Sequence, residues 1–415
     1  MLGDSAWQWL STVMVPFVGW GIVSAIRGWF RCSADRARKL YFWHTLMCVA
    51  YAFYVVSDGG DAVSYYAMPV GYGEFRPGTM AVRVMSQYLK DLLGLSFLGV
   101  SFVFNICGAL GLIAFDSALR EVTLSANPVV RQRANWLPFL PSVSFWSSAI
   151  GKDSVAFLAV GLTVWAAFSL GSRLLPLVVS VVVLLVLRPH IAAILVTCVA
   201  VGFLLQPRLN MIIRVALGVL ALASASVVVP YAMGNLGLED PMDTEEIAEY
   251  IEKRQSYNIT GGAGVDIAQM TPPMQLFTYV FRPLPFEANS FFSLAASFDN
   301  TVLLLLFASS LVAALRRKTS FYRGNVWFLL LYGVSSWIVL AVTTSNLGIA
   351  MRQKWMFVPM LIVICVSALS GASRRAKLLG PRQPSRPRSL NANERLLAGQ
   401  RSVARQQDAQ RSRFR

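Results

Sequence analysis

Apolar residues recur along this chain in long blocks separated by short polar connectors. Eleven blocks stand out, at about residues 7–26, 40–57, 95–115, 136–150, 154–171, 174–187, 190–206, 210–232, 300–315, 325–344 and 355–371. A helix needs about 20 predominantly apolar residues to cross the hydrocarbon of a bilayer. The pattern therefore predicts an all-α fold, a polytopic transmembrane helix bundle of about 11 spans within residues 1–372. Several middle blocks are shorter than a full crossing, which predicts tilted helices, paired half-spans or segments dipping from one face. Block 136–150 and the pair around Arg188-Pro189-His190 are least like complete spans. Two connectors are long, residues 58–94 and 233–298. Each holds amphipathic pieces, Arg83 to Lys90 and Thr244 to Tyr250, that predict short helices lying on a membrane face.

Composition excludes the main alternatives. Hydrophobic residues make up 55% of the 415, and only 14% are charged, against about 25% in soluble proteins. The net charge of +16 raises nucleic acid as a partner, but no stacking platform accompanies the charges, so none is expected. The basic residues are instead distributed by side. Twelve of the 37 Lys/Arg follow Ser373, and others cluster at Arg27, Arg31, Arg36, Arg38 and Lys39, or at Arg316, Arg317, Lys318 and Arg323. With the N-terminus outside, the inner connectors and tail hold 27 Lys/Arg against 5 Asp/Glu, and the outer ones 10 against 16. The positive-inside rule then puts the N-terminus out, the C-terminus in the cytoplasm and both long loops on the outer face. The tail 373–415, rich in Arg, Gln, Ser and Pro, reads as a disordered basic segment attracted to anionic lipid.

The start, MLGDSAWQWL, lacks a basic region and a small-residue cleavage site, so the first helix is expected to be retained. Five cysteines without a CxxC pair and only two histidines, His44 and His190, supply neither a zinc site nor a disulfide framework. His44 reads as a satisfied interior histidine. The acidic run Glu239 to Glu252 reads as a solvated face. Gly261-Gly-Ala-Gly264 lacks the Lys-Ser/Thr of a phosphate loop and reads as loop. No internal repeat is visible.

Ionisable residues bordering the apolar blocks gather on the outer side, where such depth makes charge expensive and points to a site. Asp58-Gly-Gly-Asp61 offers two carboxylates directly after a span, fit for a general base or a metal ligand, although Asp61 also suits a plain helix cap. Lys152 and Asp153 adjoin at a helix junction, where substrate binding competes with capping and snorkelling. In Arg188-Pro189-His190 the proline breaks the helix beside a guanidinium, a natural bidentate partner for phosphate. Arg282-Pro-Leu-Pro-Phe-Glu287 holds a cation and an anion on a stiff path, either as a binding pair or as an ion pair anchoring the loop. Arg352 occupies the last outer turn, with Lys354 just after it. No metal site and no cofactor are assigned, and the part of a divalent cation is left open. Acidic groups, arginines and a lysine on one face are what transfer from a lipid phosphate carrier needs: a carboxylate to deprotonate an acceptor hydroxyl, and arginines to stabilise the leaving phosphate.

These motifs resemble those of multi-span bacterial glycosyltransferases and polysaccharide polymerases, the C-type glycosyltransferase superfamily and Wzy/EpsG-like polymerases. The carrying residues are Gly60-Asp61-Ala-Val-Ser-Tyr65, Pro141 to Asp153, Arg188-Pro-His190, Arg282-Pro-Leu-Pro-Phe-Glu287 and Arg352, spread over about 300 residues. The resemblance implies a polyprenyl-phosphate-linked sugar donor, a glycan or lipid-linked acceptor, and action at the outer face of the cytoplasmic membrane. It maps the catalytic base onto Asp61, with Asp58 beside it. It maps substrate binding onto Lys152, Asp153, Arg188, His190, Arg282, Glu287 and Arg352, with the arginines weighted more heavily if the chain is a polymerase. In a bacterial protein the glycosylation acceptor Asn258-Ile-Thr260 carries no meaning. A flippase of lipid-linked glycans is the rival reading, using the same arginines without chemistry.

Overall fold

The computed structural model describes residues 3, 5–68, 77–170, 172–205, 210–236, 270–316, 325–344 and 346–378. Among these, every regular element is a helix. In chain order they are α1 (Ala6–Ile26), α2 (Ala34–Asp58), α3 (Asp61–Ala67), α4 (Thr79–Asp91), α5 (Phe97–Val122), α6 (Pro128–Trp136), α7 (Pro141–Trp146) and α8 (Lys152–Ala166). There follow α9 (Leu174–Leu187), α10 (Pro189–Leu204), α11 (Met211–Leu236), α12 (Pro272–Phe281), α13 (Phe291–Leu315), α14 (Val326–Val342), α15 (Leu347–Gln353) and α16 (Val358–Leu378). The chain divides into two units, residues 1–374 and 375–415, and of the second only the end of α16 is described. Thr244 to Tyr250, the acidic run, Asn258–Thr260, Gly261–Gly264, Arg317, Lys318, Arg323 and the tail beyond Leu378 lie outside the described residues.

Local chemistry sets the helix boundaries. Ser5, Ser33 and Ser96 cap α1, α2 and α5, their hydroxyls accepting from the first-turn amides of Gln8, Arg36 and Gly99, which have no partner within the helix. Asn127 does the same for α6, and Pro128 follows it, where a missing N–H costs nothing. At the other end of α2, Gly59 takes φ 82°, a conformation open mainly to glycine, so the helix stops at Asp58 and α3 begins three residues on.

Among the described residues, five helices are long and apolar enough to cross a membrane, namely α1, α2, α5, and the stretches Arg214–Tyr231 and Phe292–Leu315; α15 and α16, bent by 61°, make a sixth if taken as one span. The outward side chains agree with lipid contact: Trp9, Val13, Phe17, Phe42 and Phe53 are all exposed, Phe17 to 71%. α5 is the central element, packed against α1, α2 and α8. It meets α8 at Gly111 and Gly161, so close that a side chain on Gly161 would run into the Gly111 carbonyl. Small residues permit this backbone approach, which drives helix association in lipid.

The expected blocks in the middle of the chain come out differently. Block 136–150 is not one helix: it holds the end of α6, a 3-10 turn over Leu137–Phe139 and the short α7. Pro138 and Pro141 each lack the N–H that would continue the preceding turn. Block 154–171 is the 15-residue α8, almost wholly buried. α9 and α10, of 14 and 16 residues, are likewise apolar but short. Arg83 to Lys90 falls within α4. α13 begins at Phe291, nine residues before the apolar block, because Ser290 caps it there.

Candidate functional site

Four of the residues singled out from sequence form a linked chain of charges. Asp61, in the first turn of α3, accepts from Arg352 at 3.0 Å (Nη1 to Oδ2). Arg352 Nε lies 3.6 Å from Asp153 Oδ2. The second oxygen of Asp153 accepts a hydrogen bond from Arg188 Nη2. The participants come from α3, α15, α8 and the α9–α10 junction, where Pro189 ends one helix and starts the next. Lys152 stands beside Asp153 and donates to Thr79 Oγ1 at 3.1 Å. Three cations thus meet two carboxylates, one positive charge in excess. The Nε atoms of Arg188 and Arg352 are buried and without a hydrogen-bond partner, so each guanidinium keeps an unused donor. His190, in the first turn of α10, is half-buried, and the ion pairs just described do not include it.

Asp58, Arg282 and Glu287 meet elsewhere, on the wall of a cavity of about 1050 Å³. Trp43, Met47, Ala50, Tyr54 and Asp58 lie along one face of α2 and form one side of it. At 1.5 Å per residue that face runs for about 22 Å. Phe145, Trp146 and Phe292 supply further aromatic wall, and Tyr54 packs on Phe292 at 4.6 Å between centroids. Met351 also lines the cavity, next in sequence to Arg352. Tyr51, which packs against Phe145 and Trp146, feels the charges of Arg352, Asp153 and Asp61. The charge chain and the cavity are therefore neighbours, joined through Met351–Arg352 and through Tyr51.

Arg282 and Glu287 are paired, with Nε 2.8 and 3.1 Å from the two carboxylate oxygens and Nη2 2.6 Å from one. The Leu284 amide adds a hydrogen bond at 2.8 Å. Burial alone would raise the Glu287 carboxyl, but the Arg282 and Leu284 hydrogen bonds and the Arg282 charge outweigh it and hold the group below the usual range. A carboxylate with a depressed folded pKa stabilises the fold above its unfolded value and loses that contribution as pH falls through the folded one. Glu287→Gln is accordingly expected to lower the melting temperature at neutral pH by the equivalent of about 0.5–1 kcal/mol. The gap from wild type should close as pH drops below about 4. A gap independent of pH would show that the pair does not anchor this loop.

Two clusters were not among the residues singled out. Asp299 is fully buried and accepts from the Ser142 amide at 2.5 Å, while the equally buried Lys354 bonds to Asn300 Oδ1 and Asn300 donates to the Pro283 carbonyl at 3.0 Å. Asp299-Asn300 marks only the edge of an apolar block in sequence, and nothing local announces its burial. Away from the cavity, Asp116 is clamped by Arg36 at 2.7 Å and Arg120 at 2.8 Å, and Arg173 pairs with Glu121 at 3.0 Å. His44 is satisfied as expected, with Asn105 at 2.6 Å and Ser147 at 3.1 Å on its two ring nitrogens. Among the described residues no three His, Cys, Asp or Glu come together to hold a metal ion.

No protein-family model matches the chain, and no curated protein or solved structure matches it either.

Proposed function

We propose that the chain is a membrane glycosyltransferase or glycan polymerase. In this reading it uses a polyprenyl-(pyro)phosphate-linked sugar at the outer face of the bacterial cytoplasmic membrane, in a multi-span topology with the N-terminus out and the C-terminus in. The observation that carries it is the cavity. It offers about 22 Å of apolar and aromatic wall together with Asp58, Arg282 and Glu287, and the excess positive charge at Lys152, Arg188 and Arg352 adjoins it through Met351. An amphipathic lipid phosphate fits both halves of that description.

Chemically, Asp61 takes the proton of an acceptor hydroxyl as its oxygen bonds to the anomeric carbon of the donor sugar. The bond from that carbon to the carrier phosphate breaks, and the phosphate leaves with the electron pair, stabilised by Arg188 and Arg352. Asp61 is held by Arg352 at rest. A phosphate competing for that guanidinium releases the base only when donor is present.

One observation favours the flippase reading. Asp299 and Lys354 are buried ionisable groups on membrane-candidate helices, one bonded to a wall residue of the cavity, and such groups mark substrate and proton paths as well as catalytic sites. Native mass spectrometry of gently purified protein tests the carrier itself. A polyprenyl-phosphate lipid is expected on wild type and depleted on Arg282→Ala. Ordinary phospholipid alone, even after incubation with lipid-linked glycan, would overturn both readings.

A further inference from the structure

The charges on the cavity wall do not balance. Asp58, Arg282 and Glu287 are its charged residues, and Arg282 is engaged by Glu287 through two of its nitrogens. Asp58 is left over. It is the last residue of the 25-residue α2, where Gly59 at φ 82° turns the chain out of the helix. Its side chain is exposed, and among the described residues no hydrogen bond or ion pair engages it. The helix end adds to the charge, because aligned peptide dipoles place about half a negative charge at a helix C-terminus. A side chain on Gly59 would meet nothing within 4 Å among the described residues, so the approach to this end is open.

Aromatic rings stand at the same end. Tyr54 lies four residues before Asp58 on the same face of α2, close enough to feel its charge. Phe292 packs on Tyr54 at 4.6 Å between centroids, and Trp146 stands edge-on to it at 6.4 Å. All three rings line the cavity and none is buried. Ring faces are negative and attract a cation, most strongly one that has left water.

These features discriminate among ligands. An anion would meet both Asp58 and the negative end of α2. A divalent metal ion needs several oxygen ligands, and no such group of side chains comes together among the described residues. A neutral hydroxyl would leave the extra charge unbalanced. An ammonium group meets carboxylate, helix end and ring faces together, and the long apolar wall calls for an amphiphile to bear it.

We infer that Asp58, the C-terminal end of α2 and the rings of Tyr54, Trp146 and Phe292 form an ammonium-binding site in the cavity. If the cationic excess beside Met351 takes a phosphate, the head of the ligand is zwitterionic; that half rests on the function proposed above. An amino sugar on a lipid phosphate and an ethanolamine phospholipid both have such a head. Native mass spectrometry titrations of full-length protein in a neutral detergent test the site with dodecanol, dodecyltrimethylammonium and dodecyl phosphate. Dodecyltrimethylammonium is expected to bind roughly tenfold or more tighter than dodecanol. Asp58→Asn should remove most of that gain, and Tyr54→Leu, which keeps the wall apolar, should reduce it about threefold. Dodecyl phosphate should bind Asp58→Asn no worse than wild type, which separates loss of the site from general damage. No gain in wild type, or a gain that survives in Asp58→Asn, overturns the site. Two further pairs, at mildly acidic pH, separate the sources: farnesyl phosphate bearing glucosamine against the same lipid bearing glucose, and a short-chain phosphatidylethanolamine against the matching phosphatidylglycerol. The pair whose amine is preferred, and whose preference Asp58→Asn abolishes, identifies the source. A preference in neither pair overturns the assignment, the quaternary amine then binding at probe concentration only. Farnesyl phosphate binding no better than farnesol would count against the carrier reading alone and leave the ammonium site standing.

Discussion

Arg188→Ala is expected to melt far below wild type, by the equivalent of about 3–5 kcal/mol, the cost of removing one partner from a buried ion pair. Asp153 and Arg188 side chains retain only 12% and 6% of their exposure and are directly hydrogen-bonded. Truncating the arginine leaves the Asp153 carboxylate without a hydrogen-bonded cation, since Arg352 Nε at 3.6 Å is too far for a hydrogen bond and Lys152 donates instead to Thr79. The charge that lost its partner is the source of the cost, so it can be removed. The double variant Arg188→Met, Asp153→Leu should recover most of the melting temperature, because well-packed apolar residues replace a buried pair at little cost. It should still fail to bind farnesyl phosphate. Thermal unfolding in one detergent, followed by tryptophan fluorescence, separates these effects. A single variant within about 1 kcal/mol of wild type would mean that water reaches Asp153 and that the pair is not a buried one.

How much of this was legible beforehand depends on the range of the interaction. Helix ends are set locally, by Ser33 and Ser96 at the starts of α2 and α5, whereas hydropathy follows only the apolar core of each helix and so places the start of α2 at about residue 40 in place of Ala34. The gathering of Asp61, Asp153, Arg188 and Arg352 was readable, since each borders an apolar block and the same end of the bundle collects them. Their splitting from Asp58, Arg282 and Glu287 was not. Asp58 and Asp61 are three residues apart, yet Gly59 ends the helix between them, one carboxylate facing the cavity and the other pairing with Arg352. Hydropathy also does not give helix length: α8 has 15 residues, short of the about 20 that a full crossing needs. Asp299 escaped for a different reason. Its partner Ser142 is 157 residues away, and a single carboxylate at the edge of an apolar run resembles a boundary.

Asp61→Asn is the decisive variant for the proposed chemistry. The Asp61 side chain is half exposed, so its ion pair with Arg352 contributes about 0.2–1 kcal/mol, and the variant is expected to fold and purify like wild type. Asparagine retains the shape and cannot take a proton. If Asp61 deprotonates the acceptor, glycosyl transfer should fall by roughly 10²–10⁴-fold, the usual worth of a general base. Affinity for farnesyl phosphate should hold or rise, because the amide competes less than a carboxylate for the Arg352 guanidinium. Loss of turnover with donor binding intact is a combination that neither a collapsed site nor a missing phosphate contact produces. A flippase, which breaks no glycosidic bond, would continue to move lipid-linked glycan across proteoliposomes in the Asn variant at near wild-type rate. Measuring both transfer and translocation on the same preparation therefore decides between the two, and transfer undiminished in Asp61→Asn would remove Asp61 from the chemistry altogether.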